Sequence, residues 1–246
     1  MQARQAAALA TLNEAGARAD VEAVRATCRE YHVEAEFGTL CKAGTARQMD
    51  IAHIHRRLAA YQPVVIDAAQ AARAAVAVVL GQTPAGVELL LIQRATRAGD
   101  PWSGHVAFPG GHRHPEDADA IATAARETHE EVGVDLGRDA EVIGRLDELR
   151  AVAYRRPLDL LIAPIVFALR RPVVLRPNPH EVDGAVWVPL TVFFAAGARA
   201  TYTRSLDGDA LDYPSFRVGT YTVWGLTHRI LDGFLDIVRT EAAALV

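Results

Sequence analysis

Cysteine is scarce in this chain: among 246 residues there are two, Cys28 and Cys41. Two thiols cannot build a disulfide framework, and their scarcity points to a reduced, cytoplasmic setting. An excess of positive charge is missing as well. Lys and Arg number 26 against 30 Asp and Glu, a formal net charge of -4. That excludes a general attraction to nucleic acid, although a phosphate pocket needs only local positive charge. No apolar run reaches membrane-spanning length without charges or helix breakers, so no membrane association is expected. Residues 1–20 carry Arg4, Glu14 and Arg18 where a signal peptide would need a continuous apolar core. Internal repeats and low-complexity linkers are absent too. Half of the residues are hydrophobic, enough for one globular domain with a substantial core plus an appendage.

What stands out is the stretch from Gly110 to Val134, GGHRHPEDADAIATAARETHEEVGV. Ala118 to Val132 is rich in Ala and Glu and free of Gly and Pro, which predicts a helix. Asp117 can cap it, Asp119 suits its positive end, and Gly133 stops it. Glu127, Glu130 and Glu131 fall at i, i+3, i+4 and so share one face, with Arg126 one turn before Glu130 and able to pair with it. Three crowded carboxylates raise one another's pKa, and a hard divalent cation relieves the repulsion. An oxygen-only donor set favours Mg²⁺, Mn²⁺ or Ca²⁺ over zinc. A Glu-rich helix alone is more often a solvated face. Here it follows an apolar strand, His105 to Phe108, and a tight Pro109-Gly110-Gly111 turn, where a glycine carbonyl can face the carboxylates.

The stretch resembles the Nudix box, G-x5-E-x7-R-E-U-x-E-E-x-G-U with U a bulky apolar residue. Arg126, Glu127, Glu130, Glu131, Gly133 and Val134 match it. Two features depart. One extra residue separates Gly111 from Arg126, so Asp117 or Glu116 stands near the usual first glutamate, and Thr128 occupies an apolar position. The extra residue, the Val106-Ala-Phe-Pro-Gly-Gly111 approach, Trp224-Gly-Leu-Thr227, and Glu181-Val182 leading to Trp187-Val-Pro-Leu190 are similar to a coenzyme A pyrophosphatase branch. The likeness covers about residues 64–246.

The resemblance implies hydrolysis of a nucleoside diphosphate linked to another moiety, dependent on Mg²⁺ or Mn²⁺. It makes Glu127 and Glu131 the surest metal ligands, Glu130 a ligand or part of the Arg126 pair, and the Gly111 carbonyl a further ligand. Glu127, Glu130 and Arg126 would form the catalytic group, with Arg126 orienting a glutamate. Glu127, Glu148 and Glu181 stand open as general base. Arg94 and Arg97 can hold phosphates or be solvated loop arginines. His112 can hydrogen-bond phosphate, and His114 reads as solvent-facing. Trp102 can stack on adenine or cover a strand, and Trp224 reads as core. Three functions compete: a diphosphatase for coenzyme A or an acyl-CoA, a Nudix enzyme for another nucleotide, and a non-catalytic regulator. The intact glutamate set argues against the last. Upstream of Phe108, Arg97 to Gly104 is longer than the coenzyme A signature and has Trp102 near the place of its histidine, which leaves the substrate open.

The expected fold is α/β (α+β), a Nudix-type mixed β-sheet sandwiched between helices. Residues 1–63 form a helical N-terminal extension and 64–246 the Nudix hydrolase domain. Within the extension, Gln2 to Ala15 and Asp20 to Tyr31 can be helices whose faces are mostly alanine, and they can serve as a partner-binding or homodimerisation arm. Asp50 can cap a helix whose Ile51, Ile54, Leu58 and Tyr61 dock on a core. Ala74–Leu80 and Val87–Gln93 read as a hairpin, Glu141–Arg145, Leu160–Leu169 and Glu181–Val188 as strands, and Thr191–Ala196 as a short helix. Gly197–Ser215 reads as a polar segment over the site, Phe216–Val223 as one strand, and Trp224–Ala242 as a terminal helix.

Overall fold

The computed structural model describes residues 49–97, 103–153, 156–206 and 209–239. The two N-terminal helices expected before Tyr31, and Trp102, lie outside them.

Helix α1 (Ile51–Ala59) is capped by the Asp50 side chain, which accepts from the His53 N–H. A hairpin follows, β1 (Ala72–Thr83) and β2 (Gly86–Arg94), with Leu80 opposite Leu89 and Thr83 opposite Gly86. Then come β3 (Val106–Ala107), β4 (Gly110–His112), α2 (Ala120–Val132), α3 (Leu136–Asp139), β5 (Ala140–Arg145), β6 (Leu149–Ala153), β7 (Arg156–Leu169) and β8 (Val182–Pro189). A 3₁₀ turn at Leu190–Phe194 leads to β9 (Arg199–Leu206), β10 (Asp209–Val218), β11 (Tyr221–Trp224) and α4 (Gly225–Val238).

Strands β1 to β8 form one mixed sheet. β1 lies at its centre, parallel to β7 and antiparallel to β2 and β4. Because β1 alternates, its two faces feed two cores. Ala75, Ala77 and Val79 pack with Ala124 and Val132 of α2. Val78 and Leu80 pack with Ile54 and Leu58 of α1 and Leu231, Phe234 and Leu235 of α4. The expected sheet between helices is therefore what forms. Helix α1 sits inside this packing: Ile54 is fully buried, and a Cβ on Gly144 would come within 2.8 Å of the Leu58 Cβ.

The structure corrects several sequence expectations. Residues 197–215 are mostly strand: β9 and β10 form an antiparallel pair, extended by β11 into a separate three-stranded sheet. Pro214 suggested a loop, yet it is tolerated because the Arg217 N–H donates to Ala198 O, which sets odd-numbered residues facing β9. Pro214 thus turns its missing N–H away from β9, and β11 pairs only from Ser215 onward. The single strand expected over 216–223 is broken at Gly219, whose φ is 55°. Pro109–Gly111 reads as a turn in the sequence, yet Gly110–His112 is a strand, and α3 and β6 were not anticipated. The helix of the box is capped by Asp119, which accepts from the Ala122 N–H, rather than by Asp117. No described helix is long and apolar enough to cross a membrane.

Candidate active site

The site lies where α2 crosses β4. Register fixes which backbone groups of β4 face the helix. Gly111 pairs with Ala75, flanked by the hydrogen bonds Ala77 N–H to Pro109 O and Arg113 N–H to Arg73 O. Alternation then turns the Gly111 backbone groups toward β1 and those of Gly110 and His112 toward α2. Both neighbours agree: the Gly110 N–H donates to Glu131 Oε2 at 2.9 Å, and the His112 carbonyl accepts from Arg126 at 2.9 Å. The carbonyl on the carboxylate side is therefore that of Gly110, which corrects the expectation for Gly111. Reading the segment as a turn hid this alternation. Gly111 matters for another reason: a Cβ there would stand 2.6 Å from the Glu127 carboxylate. Only glycine leaves that carboxylate its place.

Arg126 holds the helix to the loop before it. Its Nε and Nη2 make a bidentate pair with Asp117, each at 3.0 Å. Nη1 donates to Glu127 and Glu130, each at 2.9 Å, and Nη2 also reaches the His112 carbonyl. These five bonds use all five guanidinium N–H groups, so Arg126 positions other residues and has no donor left for a substrate. Asp117, buried, also accepts from the Thr123 hydroxyl and the His114 N–H. The Arg126 pair, chiefly, holds its carboxyl well below the usual carboxylate range. This is the role sequence reasoning missed for Asp117; the extra residue in the box was the signal.

The carboxylates behave unequally. Glu131 is 4% exposed. Burial, foremost, pushes its carboxyl up to about 8; the Glu127 and Glu181 charges add to the rise, while Gly110 N–H and Arg94 oppose it. Glu127 is raised too, again mainly by burial, with Arg126 opposing. Glu130 is exposed and tied to Arg126. Glu181, at the foot of β8, thus joins Glu127 and Glu131 electrostatically. Glu148 does not: Arg73 donates to both its oxygens at 3.1 and 3.0 Å, and the Ile66 N–H occupies one again at 2.9 Å. That engagement removes it as a free base.

Of the expected phosphate ligands, Arg94 comes close enough for its charge to act on Glu131. The Arg97 guanidinium donates to the His180 carbonyl, beside Glu181. His112 contributes its carbonyl, while its side chain is exposed. Trp224, expected in the core, is half-buried on the outer face of the small sheet.

These residues suit a hard divalent cation. The donors are all oxygen, and Glu131 is an acid whose ionisation burial opposes. Among the described residues, no three His, Cys, Asp or Glu side chains already converge as a closed cage.

A strand that opens on two glycines thus lies beneath a carboxylate helix braced by a saturated arginine. The NUDIX domain model matches residues 71–206, more than half of the chain. The mitochondrial coenzyme A diphosphatase of Homo sapiens is 33% identical over 69% of this chain and 71% of its own. The peroxisomal coenzyme A diphosphatase of Caenorhabditis elegans is 38% identical over 40% of this chain and 41% of its own. An uncharacterised Schizosaccharomyces pombe protein is 47% identical over 42% of this chain, a match that spans 32% of that protein's length. A solved MutT/nudix family protein from Enterococcus faecalis superposes with a TM-score of 0.46 at 18% identity, covering 78% of this chain and 71% of its own. The chain belongs to the Nudix family of hydrolases.

Proposed function

We propose that this protein is a divalent-metal-dependent diphosphatase that splits coenzyme A, or an acyl-CoA, into 3′,5′-ADP and 4′-phosphopantetheine or its acyl form. The observation that carries the reading is the buried Glu131 beside Glu127, joined by Glu181 and braced by Arg126. It is supported by relatives that are themselves coenzyme A diphosphatases, found in mitochondria and peroxisomes.

Water adds to one phosphorus of the diphosphate and the bridging P–O bond breaks, giving two phosphomonoesters; the attacking water gives up one proton to a base, and its second is lost as the new P–OH ionises. Bound Mg²⁺ or Mn²⁺ supplies charge neutralisation of the diphosphate and a lowered pKa for water. Glu127 and Glu131 would hold the ion, with the Gly110 carbonyl beside them and Glu130 at the exposed rim. Arg126 keeps Glu127 and Glu130 from swinging away, which spares the reaction that reorganisation. Glu181 and Glu127 are the carboxylates placed to take the proton, and Glu181 is the better one because Arg126 does not hold it. Arg94 and Arg97 bind phosphate oxygens; His112 serves at the rim. The protein works in the cytoplasm, acts on a small nucleotide diphosphate, and can pair as a homodimer through its N-terminal arm.

The test is product analysis with coenzyme A at increasing Mg²⁺ and Mn²⁺. Formation of 3′,5′-ADP and 4′-phosphopantetheine in equal amounts, abolished by chelator, is expected. Metal-independent cleavage, or none with either ion, contradicts the reading.

A further inference from the structure

The three-stranded sheet has one face in the core and one outside it. Phe216 and Val223 point inward and are fully buried. On the other face, register brings Tyr202 opposite Tyr213, Arg204 opposite Leu211, and Ser215 between Ala200 and Trp224. The Trp224 ring lies 4.8 Å from that of Tyr202, 5.2 Å from Tyr213 and 4.7 Å from His105. The Arg204 guanidinium sits 5.4 Å over it. All five side chains are half-buried. Beneath them the Ser215 hydroxyl is buried without a hydrogen-bond partner.

This face is tied to the reaction centre through the backbone. The His105 carbonyl accepts from the Arg94 N–H at 3.0 Å. Five residues further along the same segment, Gly110 donates to Glu131, a reach of at most about 17 Å. A nucleotide whose diphosphate lies at the carboxylates can therefore lay its base on the aromatic face. Half-buried rings with a cation over one of them match a flat heterocycle that carries a phosphate.

We propose that Trp224, Tyr202 and Tyr213 form the platform for the purine base of the substrate, with Arg204 pairing the phosphate on its ribose. This rests on the diphosphatase reading and extends it from the reacting atoms to the recognition of the nucleoside half.

The test separates the two halves of the substrate. Binding of 3′,5′-ADP and of 4′-phosphopantetheine is measured by calorimetry to the full-length protein and to Tyr202→Leu, Tyr213→Leu and Arg204→Gln, with thermal melts as a fold check. Each tyrosine variant is expected to bind 3′,5′-ADP about tenfold more weakly, the scale of a lost base-stacking contact, with phosphopantetheine unchanged. Arg204→Gln should weaken 3′,5′-ADP more than 5′-AMP, and should serve even if a tyrosine variant fails to fold. Unchanged 3′,5′-ADP binding in the folded variants overturns the proposal, as does a loss confined to phosphopantetheine. A dimer that dissociates on substitution while the nucleotide still binds normally assigns the face to a second copy, and also overturns it. A protein that binds 3′,5′-ADP through Tyr202 yet hydrolyses no coenzyme A sinks the proposed reaction and leaves the platform standing.

Discussion

Glu131→Gln is expected to cost the reaction and strengthen the metal-free fold. The wild-type carboxyl is pushed up to about 8, mainly by burial. In the unfolded chain it ionises near the ordinary carboxylate value. Between the two, the folded state holds a proton that the unfolded state has lost, so stability falls as pH rises through that window. The rise corresponds to about 3 kcal/mol at pH 7 and about 5 kcal/mol once the group is fully ionised. Glutamine is neutral at every pH and can still accept from Gly110 N–H, so it escapes that cost. In EDTA, the melting temperatures of the two proteins should coincide near pH 4.5. The variant should then lead by about 6 to 12 °C at pH 7, using the shift per kcal/mol typical of this size. Adding Mg²⁺ should raise the wild type and leave the variant almost unmoved. Turnover of the variant should fall by orders of magnitude, because neutralisation of the diphosphate is lost. A gap that does not widen with pH, or a variant with near wild-type turnover at saturating Mg²⁺, would refute the reasoning.

Gly111→Ala places a methyl 2.6 Å from the Glu127 carboxylate; it should cut kcat at least tenfold with little change in melting temperature, read by steady-state kinetics beside a melt. Glu181→Gln should lower kcat with little change in melting temperature, whereas Glu148→Gln, which breaks the Arg73 pair, should lower melting temperature and keep kcat. Chains beginning at Met49 should retain full activity, but removal through Pro63 should leave insoluble or inactive protein, because Ile54 and Leu58 are buried in the core; an active, stable product of the longer deletion would refute that. Gly144→Ala should destabilise by about 1–3 kcal/mol in a denaturant melt, since its methyl meets Leu58.

The box was legible because its chemistry is local. Helical spacing alone put Glu127, Glu130 and Glu131 together and gave Arg126 a partner, and the structure adds Asp117 and the His112 carbonyl to that partner set. The strands of the main sheet were legible for a similar reason: β1, β2 and β7 are continuous apolar runs buried on both faces. What escaped depended on pairing between distant segments. Whether Gly110 or Gly111 turns its carbonyl to the helix is decided by the register of β4 on β1, which no local pattern carries. The β9–β10 hairpin alternates polar and aromatic residues with much of both faces outside the main core, so its apolar signal is weak. Glu148 and Glu181 look alike in sequence, and only the fold shows one clasped by Arg73 and the other set beside Glu127 and Glu131.

The most direct measurement is kcat/KM for coenzyme A beside 3′-dephospho-coenzyme A, ADP-ribose and NADH, at saturating Mg²⁺ and again at saturating Mn²⁺. Coenzyme A should lead the panel, with 3′,5′-ADP and 4′-phosphopantetheine as its products. Turnover of ADP-ribose or NADH far above that of coenzyme A would contradict the account.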